Sequence, residues 1–287
     1  MMNQKNQLIS GCMRWDKWGK QLSVQDMSKL IEHLLDQGIN YFDHADIYGD
    51  YTTEAKFGEA MASVKCDRKD YKICTKTGLQ IPNVDRNNQT KHYQYDYDYI
   101  IESAIKSIEK LNCDYIDMFL LHRPSPLMNE AEIAEAVQYL KKENLITHFG
   151  VSNWQPYHLD TLSEKVDIAT NQIEISLTQS SVLEDGTLDR IKMLKIPAMA
   201  WSPLGDFYNR SDDDQVVVAV HALAAKYQVD TSAILINWIL QLPIKVDPVI
   251  GSTNLYRIKT MQKAFTFDME LEDWFLLWEK ARGKEVD

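Results

Sequence analysis

The sequence predicts a single α/β domain folded as a (β/α)8 TIM barrel, because eight short apolar runs typical of strands alternate with amphipathic helical segments. The 287 residues suit one barrel of about 250 residues, and no Pro-, Gly- or Ser-rich linker divides them. No G-x-G-x-x-G motif follows the first apolar run, which disfavours an open dinucleotide-binding sheet. We therefore predict one domain over residues 1–287, with a C-terminal helix added to the barrel.

Five strands are predicted in the first half of the chain. They cover residues 8–13, 39–43, 71–75, 115–121 and 146–151. A helix is predicted from Ser23 to Gly38, because Ser23 and Asp26 resemble a capping pair and Gly38 suits the left-handed position after a helix. The other helices of this half are predicted from three apolar stripes: Phe57, Ala60, Met61 and Val64; Ile101, Ala104, Ile105, Ile108 and Leu111; Ile133, Ala136, Val137 and Leu140.

The second half of the chain continues the same alternation. Its strands are predicted at residues 168–173, 197–201 and around 248–250. Its helices are predicted at residues 156–164, 188–194, 216–227, 232–241, 254–264 and 271–281. The acidic run 212–214 is predicted to start a helix rather than to bind a metal, because acidic side chains favour the positive end of a helix. The spacing of Trp274, Phe275 and Trp278 predicts that the last helix packs on the barrel.

Composition excludes several classes of function. A net charge of -11 argues against nucleic acid and anionic membranes as partners, since both require basic patches. No apolar stretch reaches the roughly 20 residues that span a bilayer, and residues 1–10 lack the apolar core of a signal peptide, so we expect a cytoplasmic protein. The four cysteines form no C-x-x-C pair, and no metal site is predicted. The oligomeric state stays open, with a monomer favoured.

Polar residues at the predicted strand ends indicate an active site. Asp43, Lys76 and His122 each come at the end of an apolar run, and Tyr48 follows Asp43 by five residues. Successive strand ends of a parallel barrel converge on one mouth, so these side chains are expected to share a pocket. An ammonium beside a phenol favours the phenolate, so we expect a lowered pKa for Tyr48. His44 should point away from Asp43, because adjacent strand residues alternate.

These stretches resemble the aldo-keto reductase superfamily over nearly the whole chain. Residues 43–49 match its D-x-A-x-x-Y-G signature, and Leu121-His122, Ser152-Asn153, Asn171-Gln172 and residues 201–205 match later blocks in order. The phrases around His44 and Trp201 are most similar to a bacterial branch described as predicted oxidoreductases. The resemblance implies NAD(P)H-dependent reduction of a carbonyl, with Tyr48 as general acid, Lys76 and Asp43 tuning it, and His122 orienting the carbonyl oxygen.

The resemblance also implies a cofactor site and NADPH as the cofactor. Ser152, Asn153 and Gln172 are expected to bind the nicotinamide carboxamide, and Trp201 is expected to stack on its ring. Ser202 is expected to contact the cofactor, and Leu204 and Gly205 are expected to begin the loop over the pyrophosphate. The expected adenosine phosphate contacts are Gly251, Ser252, Thr253 and Arg257. Many relatives have a lysine in place of Gly251, so use of NADH stays open.

The substrate itself is not readable from the sequence. Trp15 and Trp154 are predicted to be pocket walls around a small-molecule carbonyl substrate, with Trp18 as a further candidate. An alternative function is a nicotinamide-sensing regulatory subunit, which potassium-channel β-subunits resemble. A metal-dependent hydrolase using Asp43 and His122 is a third reading, but no cluster with metal-ligand spacing supports it.

Overall fold

A computed structural model describes residues 6–286, and its central feature is a closed barrel of eight parallel strands. Each strand neighbours the next one in the chain, and helices alternate with the strands. The barrel strands are β1 Ile9–Gly11, β2 Tyr41–Asp43, β3 Lys72–Thr77, β4 Ile116–Leu121, β5 Ile146–Ser152, β6 Asn171–Glu174, β7 Ala198–Trp201 and β8 Val246–Ile250. The predicted (β/α)8 barrel is thereby confirmed, and the end residues of the predicted domain, 1 and 287, lie outside the described part.

The described residues pack as two compact units. The N-terminal unit comprises residues 9–172, and the C-terminal unit comprises residues 6–8 and 173–286. The helices of the N-terminal unit are α1 Val24–Asp36, α2 Tyr48–Tyr51, α3 Thr53–Met61, α4 Tyr97–Leu111, α5 Glu130–Lys142 and α6 Pro156–Ser163. Those of the C-terminal unit are α7 Thr187–Leu194, α8 Gln215–Tyr227, α9 Thr231–Leu240, α10 Leu255–Gln262 and α11 Leu271–Arg282.

Strand register in the N-terminal unit sets the positions of the site residues. Gly11 pairs with Asp43, and Asp43 pairs with Cys74, so Lys76 lies two residues further along β3. Lys76 in turn pairs with Leu120 of β4, two residues before His122. Parallel pairing therefore brings Asp43, Lys76 and His122 to neighbouring strand ends. A two-stranded hairpin, Leu79–Gln80 with His92–Tyr93, follows β3.

Helix α1 begins and ends as the sequence predicts. The Ser23 side chain accepts a hydrogen bond from the Asp26 N–H, and Gly38 has a φ of +75°. Met27, Leu30, Ile31 and Leu34 are buried, as expected for its apolar face. Several predicted strand ends coincide with the observed ones, and the others shift by one to three residues, as is usual for boundaries read from sequence.

The sequence predicts only some of the side chains that α4 buries. Its buried side chains are Ile100, Ser103, Ala104, Ser107 and Leu111, whereas Ile105 is 37% exposed. Ser107 donates to the buried Glu54 carboxylate at 3.2 Å, and Ser103 bonds to the Thr77 hydroxyl. These buried hydrogen bonds accompany an inner face on which Ser103 and Ser107 lie beside Ile100, while Ile105 faces outwards.

The C-terminal unit is closed by α11. The Trp274 indole stacks on Trp238 of α9 with ring centroids 4.8 Å apart, and each indole N–H donates to the other residue's carbonyl. This pairing buries aromatic surface of both residues and gives each indole N–H a hydrogen-bond acceptor. Asp214 caps α8 by accepting from the Val216 N–H, so the acidic run does start a helix. None of the helices in residues 6–286 combines the length and apolar character that crossing a bilayer demands.

Candidate active site

A buried ion pair lies at the centre of the candidate site. The Lys76 Nζ lies 2.8 Å from both carboxylate oxygens of Asp43, and the two side chains are 1% and 4% exposed. The ammonium also donates to the His44 carbonyl at 2.7 Å and lies 3.2 Å from the Tyr48 Oη. An ammonium has only three N–H donors, so Lys76 is held firmly between β2 and the phenol.

The Tyr48 phenol is presented by an unusual turn. Gly49, Asp50 and Tyr51 all have positive φ, at 58°, 57° and 69°. A Cβ on Gly49 would lie 2.4 Å from the Thr53 hydroxyl, so both conformation and space require glycine there. Left-handed residues in series are costly and are found where a functional group must be aimed. The signature glycine thus fixes the path of the chain that carries Tyr48.

Burial determines the proton states of the ion pair and the phenol. Burial raises the pKa of Tyr48 to about 12, and the nearby Lys76 charge only partly opposes it. The net lowering of the Tyr48 pKa expected from the sequence is therefore not found, because burial outweighs the Lys76 charge, which acts in the predicted direction. Burial alone would lower the pKa of Lys76, but the Asp43 carboxylate raises it above its ordinary value. At neutral pH the site thus holds a protonated phenol beside a charged ammonium.

The His122 imidazole faces the phenol. Its ring lies 6.2 Å from the Tyr48 ring, edge to face, and its side chain is buried. Burial and the charges of Lys76, Arg123 and Lys91 lower its pKa well below the ordinary value. A neutral imidazole carries one N–H donor, which is the form needed to donate to a carbonyl oxygen.

His44 and Asp46 lie outside this cluster. The His44 ring packs on Phe57 of α3 at 4.4 Å, and burial lowers its pKa to about 3. Asp46 accepts from the Thr77 hydroxyl at 3.2 Å, and burial together with the Glu54 charge raises its pKa to about 7. His44 therefore points away from Asp43, as the alternation of strand residues predicts.

Three polar side chains, at the end of β5, just after it and in β6, are linked by hydrogen bonds to the ion pair. The Gln172 amide donates to Asp43 Oδ1 at 2.8 Å, a bond that the sequence gives no sign of. The Ser152 hydroxyl donates to the Gln172 carbonyl at 3.0 Å, and the Asn153 amide donates to Ser152 at 2.9 Å. Hydroxyl and amide groups are the partners that a carboxamide needs, so these residues fit a nicotinamide.

The predicted ring-stacking residue belongs to the C-terminal unit. Trp201 ends β7 and is half-buried, and Leu204 is half-buried in the loop that follows. Ser202 adopts a φ of 53°, and its carbonyl accepts from the Gly205 N–H at 2.8 Å. A Cβ on Gly205 would lie 2.1 Å from the Thr178 hydroxyl, so this turn requires glycine. An aromatic face with a tight polar turn beside it fits a ring and its linked phosphates.

The end of β8 and the start of α10 carry the predicted phosphate contacts. The Ser252 hydroxyl accepts from the Asn254 N–H at 3.2 Å, and Asn254 caps α10 through the Arg257 N–H. Thr253 is half-buried, and Arg257 is exposed. Gly251 is exposed, and a Cβ there would meet no atom within 4 Å. A cationic side chain and a helix N-terminus fit a phosphate group.

The prediction that Trp15 and Trp154 are pocket walls is corrected. Both side chains are fully buried, and a pocket wall must present surface to its ligand. Trp15 packs on Phe42 and Phe57, because the loop after β1 folds it back onto α3. Trp18 of the same loop is half-buried, and its ring lies 6.1 Å from the Tyr48 ring.

Trp18 is held in this position by a hydrogen bond from its indole N–H to Asp50 at 3.0 Å. It therefore replaces Trp15 as the aromatic side chain beside the phenol. Across residues 6–286, no three His, Cys, Asp or Glu side chains come together as a metal site would require.

Comparison with known proteins agrees with this geometry. The model of the aldo/keto reductase family matches residues 7–280, so the chain belongs to that family. It is 35% identical to the oxidoreductase YdhF of Escherichia coli, over 98% of this chain and 95% of that protein. It is also 35% identical to a 6-dehydroglucose reductase of Agrobacterium fabrum, over 89% of this chain and 88% of that protein.

A solved Bombyx mori aldo-keto reductase in complex with NADP shares the fold, with a TM-score of 0.78 and 22% identity over 95% of this chain and 88% of that one. The family and these bacterial relatives identify the protein as an oxidoreductase of the carbonyl-reducing type.

Proposed function

We propose that the protein reduces an aldehyde or ketone to an alcohol with NADPH, and that Tyr48 is the proton donor. The observation that carries this proposal is the buried contact of the Lys76 ammonium with Asp43 at 2.8 Å and with the Tyr48 Oη at 3.2 Å. An ion pair that only stabilises the fold does not require a phenol within hydrogen-bond distance. A proton donor that becomes an anion does need such a neighbouring cation.

The proton step follows from the states of these groups. Tyr48 holds its proton at neutral pH, because burial raises its pKa to about 12. As the carbonyl oxygen gains negative charge, the phenol O–H bond breaks and the proton moves to that oxygen. The phenolate left behind is stabilised by Lys76, whose charge Asp43 maintains. General acid assistance of this kind contributes about 10²–10⁴-fold to a rate.

His122 is assigned to orientation of the carbonyl oxygen. Its neutral imidazole lies edge to face with the Tyr48 ring and can donate one hydrogen bond without adding a charge. A donor aimed at the developing negative charge stabilises the transition state more than the ground state. Trp18 is assigned to the substrate side of the phenol, in place of Trp15 and Trp154.

A reduced nicotinamide, when bound, supplies the hydride that reduces the carbonyl carbon. Ser152, Asn153 and Gln172 are assigned to its carboxamide, and Gln172 also contacts Asp43. In the C-terminal unit we assign Trp201, Ser202 and Leu204 to the ring and pyrophosphate. We assign the adenosine phosphate to Gly251, Ser252, Thr253 and Arg257. NADP in the Bombyx mori relative and the Arg257 cation support NADPH over NADH.

The test is a fluorescence titration of the purified protein with NADPH and with NADH, followed by a panel of carbonyl compounds with the preferred cofactor. The panel includes simple aldehydes, ketones and sugar aldehydes, the last because a relative at 35% identity is a 6-dehydroglucose reductase. We expect tighter binding of NADPH and consumption of it with at least one aldehyde. Tight cofactor binding with no turnover on the whole panel, together with a stoichiometric protein partner, would instead support the regulatory-subunit function.

A further inference from the structure

The His122 imidazole is not oriented by a hydrogen bond on its buried nitrogen. Its Nδ1 atom is inaccessible to solvent, and no polar atom of residues 6–286 lies within hydrogen-bond distance of it. A histidine that acts through one ring nitrogen is commonly oriented by a hydrogen bond on the other. In this protein the direction of the ring therefore depends on the packing around it and on the backbone of residues 122–123.

A buried tyrosine holds the backbone that carries His122. The Tyr95 hydroxyl accepts from the Arg123 N–H at 3.1 Å and donates to the Arg123 carbonyl. That N–H belongs to the peptide unit that joins Arg123 to His122. Strand β4 ends at Leu121, and the polar backbone groups beyond a strand end need other partners. One hydroxyl thus takes the place of a neighbouring strand for both polar backbone groups of Arg123.

The position of Tyr95 is fixed in turn by the end of β3. Its ring lies against Gly78, where a Cβ would lie 1.7 Å from the ring, and Gly78 has a φ of +93°. Any other residue at position 78 would clash with the ring and strain the backbone. The Gln94 N–H donates to the Gly78 carbonyl, and the His122 N–H donates to the Thr77 carbonyl, each at 2.9 Å. Tyr95 therefore connects the end of β3, which carries the ammonium, to the end of β4, which carries the imidazole.

Burial keeps the Tyr95 phenol in the form that both hydrogen bonds require. The residue is 6% exposed, and burial raises the pKa of Tyr95 above its ordinary value. A neutral hydroxyl can donate and accept at once, whereas a phenolate can only accept. Both hydrogen bonds to the Arg123 backbone are therefore retained at neutral pH.

We propose that Tyr95 is a positioning residue that acts on carbonyl reduction through His122. Its hydroxyl holds the backbone so that the imidazole stays directed at the carbonyl oxygen that Tyr48 protonates. A hydrogen bond weakens steeply as its angle worsens, so a displaced ring would lose much of its effect. The inference rests on the proposed function, because it takes His122 as the group that orients the carbonyl oxygen. A Tyr95 that only stabilises the fold would not act through His122.

A double-mutant cycle tests the inference with NADPH and a reactive aldehyde. Tyr95→Phe removes only the hydroxyl and keeps the ring against Gly78. We expect it to lower kcat/KM by about 10–100-fold, mostly through kcat, with the Kd of NADPH within about twofold of the wild type. In a His122→Ala background, the same substitution should change kcat/KM by less than about twofold, because the group through which Tyr95 acts is missing.

Tyr227 provides a matched control in the C-terminal unit. Its hydroxyl accepts from the Glu270 N–H at 2.8 Å and donates to the Asp273 carboxylate. Tyr227→Phe therefore also removes one bond from a backbone N–H and one to an oxygen, between α8 and the start of α11. Both variants should have a lowered melting temperature, but we expect kcat/KM of Tyr227→Phe to stay within about twofold of the wild type.

A second readout does not require turnover. The chain has seven histidines, and in protein labelled with ¹³C,¹⁵N-histidine the imidazole signal missing from His122→Ala identifies His122. That signal should shift in Tyr95→Phe and stay in place in Tyr227→Phe. An unmoved signal in Tyr95→Phe, wild-type kcat/KM in that variant, or an equal loss with and without His122 would overturn the inference. Absence of carbonyl reduction by the wild type would contradict the proposed function, and the His122 signal would still test the placement of the ring.

Discussion

Replacing Lys76 with methionine tests the buried ion pair most strongly. Asp43 is 3% exposed, and both of its oxygens accept from the Lys76 ammonium. After the substitution, the Gln172 amide still donates to that carboxylate, but no cation of residues 6–286 other than Lys76 forms an ion pair with it. Breaking a buried ion pair by removing one partner costs about 3–5 kcal/mol. For 287 residues, an unfolding entropy of about 2.1 cal/mol/K per residue converts this cost to a loss of about 5–8 °C in melting temperature.

The loss should be smaller when both charges are removed together. Asp43→Asn/Lys76→Met removes both charges and keeps an acceptor for Gln172. It should recover at least about 2 kcal/mol of the loss.

Urea denaturation followed by circular dichroism measures these differences for the wild type, the two single variants and the double variant. The coupling energy is the difference between the double-variant loss and the sum of the single-variant losses. Additive losses would refute the ion pair as the element that holds this site together.

Three further predictions concern proton states and the cofactor. Burial raises the pKa of Tyr48 to about 12, so loss of the phenol proton should not lower the rate of carbonyl reduction between pH 6 and 9. The rate of alcohol oxidation should rise with pH. Steady-state pH profiles of both reactions check these two expectations. Burial raises the pKa of Asp46 to about 7, so its contribution to stability is present at low pH and is lost as the pH rises through that value. The free energy of unfolding of Asp46→Asn, relative to that of the wild type, should rise by about 2 kcal/mol between pH 5 and pH 8. Urea denaturation at the two pH values would show no such rise if Asp46 titrated normally. Gly251→Lys should bind NADPH about 5–30-fold more tightly with little change for NADH, since a Cβ there meets no atom within 4 Å. Equal effects on both cofactors in a fluorescence titration would exclude a phosphate contact.

Most of the fold could be predicted from the period of apolar residues. The strands are buried on both faces and the helices carry apolar stripes, so their alternation defines a parallel barrel. The orientation of α4 could not be predicted, because it depends on hydrogen bonds from Ser103 and Ser107 to groups of other elements. Those partners, Thr77 and Glu54, are distant in sequence, and a sequence pattern does not report them.

The sequence predicted the positions of those site residues that lie at strand ends. Asp43, Lys76 and His122 come together because parallel register brings neighbouring strand ends together. The loop tryptophans were not predictable, because a position after a strand does not say whether a side chain turns to the pocket or to the surrounding helices. The net pKa of Tyr48 also depends on burial, which the charged residues of a sequence do not reveal.

The most direct test of the proton-donor assignment is the comparison of Tyr48→Phe with the wild type, measuring NADPH affinity and turnover of a reactive aldehyde on the same preparations. The substitution removes only the hydroxyl that lies 3.2 Å from the Lys76 Nζ. We expect NADPH affinity within about threefold of the wild type and turnover lower by about 10²–10⁴-fold. Normal turnover by Tyr48→Phe would contradict the assignment of the phenol as the acid.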